Sequence, residues 1–262
     1  MIKIKIRKKL SKKNYLLLAI TAFVVLIAAW TIASVTGAVD AIFLPNPTKV
    51  LNYYVEAIKD GSLFENTSIS LYRILLGFIL AVILGIPVGI LMGTFQKVEA
   101  VVRPLCEFIR YMPVPAFVPL IMVWVGIGEN AKITVIFIGT FFQLVLMVAD
   151  DALSVPDDLI NAGYTLGTST TQTIFKIIIP AMLPRLMETL RMMIGWAWTY
   201  LVSAELVAAN SGLGYTILKS QRFLATDAIF GGIILIGILG LLTDRLFAFV
   251  NKKLFHWSES AH

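Results

Sequence analysis

Hydrophobic positions in this chain fall in long unbroken runs, with polar residues gathered between them. Six runs are long enough, or nearly so, to cross a membrane as helices: residues 15–36, 69–92, 104–125, 133–149, 174–208 and 228–250. About 20 apolar residues in a helix span the roughly 30 Å hydrocarbon core of a bilayer. Strands of a membrane barrel would alternate apolar and polar positions, and these runs do not. Lipid offers no partner for an unpaired backbone group, so the runs predict a bundle of helices. Pro113, Pro115 and Pro119 interrupt the third run, and the fifth is long enough to include a polar lead-in.

Two of the connections have structure of their own. Residues 37–68 open on Pro45-Asn46-Pro47, and Val50, Leu51, Tyr54 and Ile58 then recur at helical spacing. A short amphipathic helix is expected there, with Thr48 as its cap and Gly61 at its end. Asn66-Thr67-Ser68 matches a glycosylation acceptor pattern and reads as loop. The connection 150–180 is polar and punctuated by glycine. Ser154 or Asp157 can cap a helix here, Pro156 suits an early position, and Asp157 and Asp158 favour its N-terminal end. Leu159, Ile160, Gly163 and Leu166 form a short apolar face, and Gly167 permits a backbone turn that a β-branched residue resists. Thr168 to Thr173 can cap the next helix, which runs toward Pro180 and Pro184. The expectation is a short helix lying across the membrane surface, joined rigidly to the fifth span.

Composition and charge sharpen the picture. Of 262 residues, 58% are hydrophobic and 15% charged, and the mean hydropathy is +0.85; soluble domains carry about 25% charged residues. The net charge of +6 is topological rather than a nucleic-acid footprint. Lys3, Lys5, Arg7, Lys8, Lys9, Lys12 and Lys13 precede the first run, where a basic block anchors to anionic lipid. Six spans put both termini on one side, and the basic residues make that side cytoplasmic. Lys97, Arg103, Arg110, Lys176, Arg185, Arg191, Arg245, Lys252 and Lys253 then join the cytoplasmic set. Lys49, Lys59, Arg73, Lys132, Lys219 and Arg222 are left outside. The first run is longer than the apolar core of a secretory signal, so it reads as a retained helix. The division is a basic N-terminus (1–14), a first span (15–36), an extracytoplasmic segment (37–68), a five-helix core (69–250) and a cytoplasmic tail (251–262).

Signatures of catalysis do not emerge. There is no G-x-x-x-x-G-K-[S/T] phosphate loop, and Gly212-Leu213-Gly214 lacks the third glycine and strand context of a dinucleotide site. His256 and His262 lie in the tail, and the single cysteine, Cys106, has no intrachain partner. The chain therefore reads as a non-enzyme. Gly77, Gly85, Gly89 and Gly93 share one face of the second span and suit close helix packing. Arg110 has two readings, a snorkelling interfacial residue or a cargo contact. Glu205 has two as well. An acid inside a membrane costs about 3 kcal/mol on insertion scales and faces the bundle interior, so it serves a structural hydrogen bond or an outer gate. The proline-rich third span likewise is either a packed kink or a broken helix lining a pathway.

The stretch NAGYTLGTSTTQTIFKIIIP, residues 161–180, resembles the cytoplasmic loop of ABC-importer permeases, which reads Glu-Ala-Ala, a glycine, then Ile-x-Leu-Pro at this spacing. Gly167 and Pro180 match; Asn161, Gly163 and Ile179 stand where the pattern carries Glu, Ala and Leu. Further blocks run in order from Phe43 to Phe249: FLPNPTKV, Arg110 through Leu120 with its three prolines, WVGIGE at 124–129, Ala204-Glu205-Leu206, Gly212 to Tyr215, and FLATD at 223–227. Together they are similar to the nitrate/sulfonate/taurine branch of that family. The resemblance implies an all-α membrane protein with a type I ABC-importer transmembrane domain and a cytoplasmic coupling helix. It implies a homodimer with a second permease copy, two ABC ATPase subunits that bind ATP and Mg, an extracytoplasmic substrate-binding protein, and a bacterial inner membrane. It also implies no cofactor on this chain. Asp158, Asn161, Ala162, Gly163, Leu166, Gly167 and Pro180 become candidates for ATPase coupling. Arg110, Met112, Pro113, Pro115 and Glu205 become candidates for the pathway or its gate. Taurine, an alkanesulfonate or nitrate is the expected cargo, with a pyrimidine precursor as the alternative. An ion-coupled secondary carrier is the competing class, and it would show inverted repeats and more intramembrane charge.

Overall fold

The computed structural model describes residues 10–206 and 209–256. The basic residues from Lys3 to Lys9, and His262, lie outside the described residues. Within them every regular element is helical. Helix α1 (Lys12–Val35) is capped by Ser11, whose hydroxyl accepts from the Asn14 N–H at 3.2 Å. Helix α2 (Pro47–Lys59) occupies the expected amphipathic stretch, but its cap is Asn46 rather than Thr48. Pro47 takes the first helical position, which puts the cap two residues upstream of Thr48, and Asn46 Oδ1 accepts from the Thr48 N–H at 3.0 Å. Gly61, at φ +79°, separates α2 from α3 (Ser62–Thr94). The Asn66-Thr67-Ser68 triplet is therefore helical, not loop.

The third run is not one span. It divides into α4 (Gln96–Arg110) and α5 (Val114–Val125), which meet at 103° across Tyr111–Pro113. Pro113 stands at the N-cap of α5, and Pro115 falls in its first turn. Both positions suit a residue with fixed φ and no N–H to offer. Helix α6 (Glu129–Leu153) follows, then the surface helix α7 (Asp157–Thr165), the single turn α8 (Thr170–Thr173) and a π-helical turn, Ile174–Ile178. Helix α9 (Ile179–Glu205), a short α10 (Leu213–Arg222) that the apolar pattern does not reveal, and α11 (Thr226–Leu254) complete the order.

Four of these helices, α1, α3, α6 and α11, are long and apolar enough to cross a membrane, and the bent α4–α5 pair makes a fifth if counted as one. Helix α9 was expected to be a span and is long enough at 27 residues. It carries Arg185, Glu188 and Arg191 in its first half, and these lower its apolarity below the others.

The core is a seam between α3 and α6. The glycines of α3 face α6 along its length: Gly77 against Ile136, Gly85 against Leu144, Gly89 against Val148, Gly93 against Ala149 and Ala152. A Cβ on Gly89 would stand 2.6 Å from the Val148 Cβ, and one on Gly93 2.5 Å from the Ala149 carbonyl oxygen. The stripe is a packing surface, as small residues at helix contacts in membranes are. On the other side of α6, α9 buries Met193, Ala197 and Leu201. Helix α11 is tied to α9 by a two-point ion pair, with Arg191 Nε and Nη2 donating to Asp244 at 2.6 and 3.0 Å. The Trp198 indole donates to Thr243 at 3.1 Å.

Two glycines test the seam. Gly89→Val forces α3 and α6 apart and is expected to cost about 1–3 kcal/mol, as overpacking does. Gly237→Ala in α11 meets nothing within 4 Å and is expected to leave stability unchanged or slightly higher. The measurement is the thermal unfolding midpoint of the purified permease in detergent; equal midpoints for the two variants would overturn this account of the core.

Candidate functional site

Three features carry chemistry: the α7 loop, an open cavity beside the α4–α5 break, and a buried cluster of charges at the far end of the seam.

The α7 loop is built from short-range hydrogen bonds. Neither Ser154 nor Asp157 caps α7; Pro156 occupies the cap position. Ser154 instead closes α6, its hydroxyl donating to the Asp151 carbonyl at 2.6 Å. At the other end the chain reverses through Gly167 at φ +82°, with Gly167 N–H on Tyr164 O and Thr168 N–H on Gly163 O. That is a left-handed helix end, which a residue without Cβ adopts freely. Ser169 and Gln172 then form a reciprocal capping box that opens α8. The face expected from Leu159, Ile160, Gly163 and Leu166 splits in two. Ile160 and Gly163 turn inward, and Gly163 packs so closely on Ile177 that a Cβ would collide with its Cδ1. Leu159 and Leu166 point out, Leu166 with 85% of its surface exposed. Asp158, Asn161 and Ala162 share that outward face, and Pro180 lies apart from it in the first turn of α9. The base of the loop is held by buried Asp151, which accepts from Thr189 Oγ1 at 2.6 Å and Arg185 Nε at 3.0 Å. Arg103 of α4 bridges Glu99 at 2.8 Å and Asp150 at 2.9 Å. Helix α7 is thus an exposed platform packed on the π-turn, and it follows an end of α6 that is tied to α4 and α9.

The cavity has a volume of about 460 Å³ and opens between α4, α5, α6 and α9. Arg110 and Met112 line it, while Pro113 and Pro115 begin α5 at the adjoining break. Of the five pathway candidates, two line this space, and Pro113 and Pro115 stand at the break beside it. Gln143 of α6 and Trp196 and Tyr200 of α9 line it too, and the sequence pattern had not marked them.

Glu205 belongs elsewhere. Its side chain is fully buried and bound on every side. Oε1 accepts from Arg73 Nη1 and from the Ser70 hydroxyl, each at 2.7 Å, and Oε2 accepts from the Gly214 N–H at 2.6 Å. Arg73, also fully buried, donates a fork to Glu129 at 2.6 and 2.7 Å and reaches the Ser211 carbonyl at 2.7 Å. Lys132 completes the cluster by donating to Glu129 at 2.8 Å. Two cations and two carboxylates thus neutralise one another across α3, α6 and α9. Glu205 thus has structural hydrogen bonds to a serine and the backbone, and it is paired with Arg73 as well. Sequence reasoning missed Arg73, Glu129 and Lys132 as partners. A signal exists in the sequence, since an arginine inside an apolar run must find an acid, but the charge balance uses Arg73 only for orientation.

The ends of the α9–α10 turn are clamped to the same cluster. Gly212 N–H donates to Asn66 Oδ1 at 2.7 Å, and Leu213 N–H to Ser70 Oγ at 2.9 Å. At φ +117°, a Cβ on Gly212 would stand 2.4 Å from Glu205 Oε1.

A seam-packed helical bundle with a broken span and an exposed surface helix defines a class, the transmembrane domains of ABC importers. An inward-facing structure of the MetNI methionine ABC transporter is similar to this fold with a TM-score of 0.60 at 22% identity, covering 73% of this chain and 94% of that one. The model of the family described as binding-protein-dependent transport system inner membrane component matches residues 85–256. A probable ABC transporter permease of Brucella abortus (strain 2308) is 38% identical over 244 residues, 93% of this chain and 96% of that protein. The putative aliphatic sulfonates transport permease SsuC of Bacillus subtilis (strain 168) is 35% identical over 256 residues, 97% of this chain and 93% of that one. The chain belongs to the binding-protein-dependent transport system inner membrane component family, as a membrane-embedded ABC importer permease. A permease of this kind is a transport component rather than an enzyme.

The charge cluster makes a stability prediction. Glu205→Ala leaves Arg73 buried with one carboxylate too few and the Gly214 N–H without its acceptor. Breaking a buried pair from one side costs on the order of 3–5 kcal/mol. Denaturant unfolding of the purified variant should show that loss, with Glu205→Gln falling between it and the wild type because it keeps an acceptor. An Ala variant as stable as wild type would remove the cluster from the structural core.

Proposed function

We propose that this chain is one of two identical permease subunits that carry a small anion into the cytoplasm, driven by two ATPase subunits and fed by an extracytoplasmic binding protein. The observation that carries the reading is the α7 platform. Its outward residues Asp158, Asn161, Ala162 and Leu166 are free to meet a partner, while its inward residues and Asp151 tie it to the helices around the cavity. ATP and Mg bind the partner ATPases, whose closure pushes α7. The push passes through the Gly163–Ile177 contact into the π-turn and α9, and through the Asp151–Arg185 pair at the end of α6. The cavity then opens alternately to the two sides, with energy drawn from the different affinity of nucleotide for the two states. Both termini and α7 lie in the cytoplasm of a bacterial inner membrane, in accord with the basic residues.

Among cargoes we favour taurine or another alkanesulfonate, with nitrate next; the name of the Bacillus relative, aliphatic sulfonates, supports that order. The charge best suited to an ion-coupled carrier, Glu205, is engaged by Arg73, which weighs against that class.

Two measurements test the reading. Calorimetry on the binding protein encoded beside this chain should show tight binding of taurine or an alkanesulfonate, and uptake by the reconstituted complex should require ATP. Gly167→Val should assemble and lose coupled uptake. Its Cβ meets nothing within 4 Å, so the cost is backbone strain of about 1–2 kcal/mol, enough to distort the α7–α8 turn without unfolding the bundle. Normal uptake by Gly167→Val would refute the role given to α7.

A further inference from the structure

The cavity beside the α4–α5 break has an uneven chemistry. Arg110 is the one ionised residue among those that line it, and no carboxylate is present to neutralise it there. Its guanidinium is exposed and makes two side-chain hydrogen bonds. Nη1 donates to Gln143 Oε1 at 3.3 Å, Nη2 donates to the Tyr111 hydroxyl at 3.1 Å, and the guanidinium carbon sits 4.8 Å from the Tyr111 ring centroid. Because Gln143 turns its oxygen to Arg110, its NH2 group is the end left to donate. An arginine fork and an amide NH2 side by side form a donor set for an oxyanion.

The remaining wall is of another kind. Met147, Met192 and Trp196 line it, and Trp196 stacks on Tyr200 with centroids 6.2 Å apart. Thioethers adapt to an irregular apolar partner. Tyr200 lies flat against α6 at Gly139, where a Cβ would stand 2.6 Å from its Cδ2. The missing side chain keeps that ring out of the space. A volume of about 460 Å³ falls within the range of sites for small organic molecules, roughly 300–1,000 Å³. A bare inorganic anion at Arg110 would leave the methionine and tryptophan wall uncovered.

We propose that this cavity binds an organic oxyanion, its head on Arg110 and Gln143 and its carbon body along Met147, Met192 and Trp196. The proposal rests on the importer reading for what the site is used for, and on the residues just named for what it binds.

Thiol labelling tests the binding chemistry without transport. In the full-length permease, purified in a neutral detergent with Cys106→Ala, Met192→Cys places a reporter on the apolar wall. Its reaction with anionic 2-sulfonatoethyl methanethiosulfonate is compared with that of the cationic trimethylammonioethyl reagent, each scaled to its rate with a free thiol. The anionic reagent should react about tenfold faster, within the range that a charge-lined cleft gives, and Arg110→Gln should bring the ratio close to one. Hexanesulfonate should protect the reporter at a concentration about tenfold lower than nitrate. Met147→Cys is the second reporter should the first disturb folding, judged by gel filtration. Equal rates, a preference that survives Arg110→Gln, a reporter that reacts with neither reagent, or nitrate protecting as well as hexanesulfonate would each overturn the proposal. The two readings fail separately: labelling as expected without ATP-driven uptake sinks the importer, and uptake without the labelling preference sinks the site.

Discussion

The seam between α3 and α6 is the constraint on which the rest of the molecule hangs. Lipid tails are as apolar as leucine, so helices in a bilayer gain little from hiding apolar surface and must associate through close fit and polar contacts. The glycines of α3 supply the fit by letting its backbone lie against the side chains of α6. With those two helices fixed, α6 presents one flank to α9 and, at its end, Asp150 and Asp151 to Arg103 and Arg185. The charge cluster of Arg73, Glu129, Lys132 and Glu205 then pins the opposite end. Both ends of the bundle are locked by charge and its middle by shape.

That division has a mechanical meaning for α9. Its far end is held by Glu205, while its near end begins in a π-turn followed by Pro180 and Pro184. A π-turn departs from the regular hydrogen-bond ladder and is found mostly at functional places in helices. The cavity lies along the stretch between, at Met192, Trp196 and Tyr200. Helix α7 packs on the irregular turn that opens α9, so the part of the helix that lines the cavity lies between that turn and the end held by Glu205.

Much of this was legible in the chain because it follows from local rules. Continuous apolar runs gave helices, Gly167 gave the turn after α7, and the glycine spacing in α3 gave a packing face. The helix caps of α2 and α7 were displaced by neighbouring prolines, but the larger misses share one cause, which is that a partner distant in sequence decides the outcome. Asn66 reads as loop on its own, yet it accepts from Gly212 and donates to Ser62 inside α3. Helix α10 has no apolar run to announce it and forms where the α9–α10 turn is clamped to Ser70 and Glu205. The break in the third span was visible as prolines, but its angle depends on what α4 and α5 each pack against. At the cavity, Gln143, Trp196 and Tyr200 are ordinary helix residues in sequence and acquire significance only by facing Arg110 across a gap.

Helix α1 stands outside this logic. None of its residues is buried, and its polar link to the rest is the Trp30 indole on the Pro45 carbonyl, beside a ring stack on Phe230. The bilayer rather than the protein is its solvent on nearly every side. Positions along it answer to solubility in lipid and to little else, whereas a single methyl group matters at Gly89. Tolerance of substitution in this chain is therefore set position by position by what surrounds each residue, and it is broadest where the surroundings are fluid.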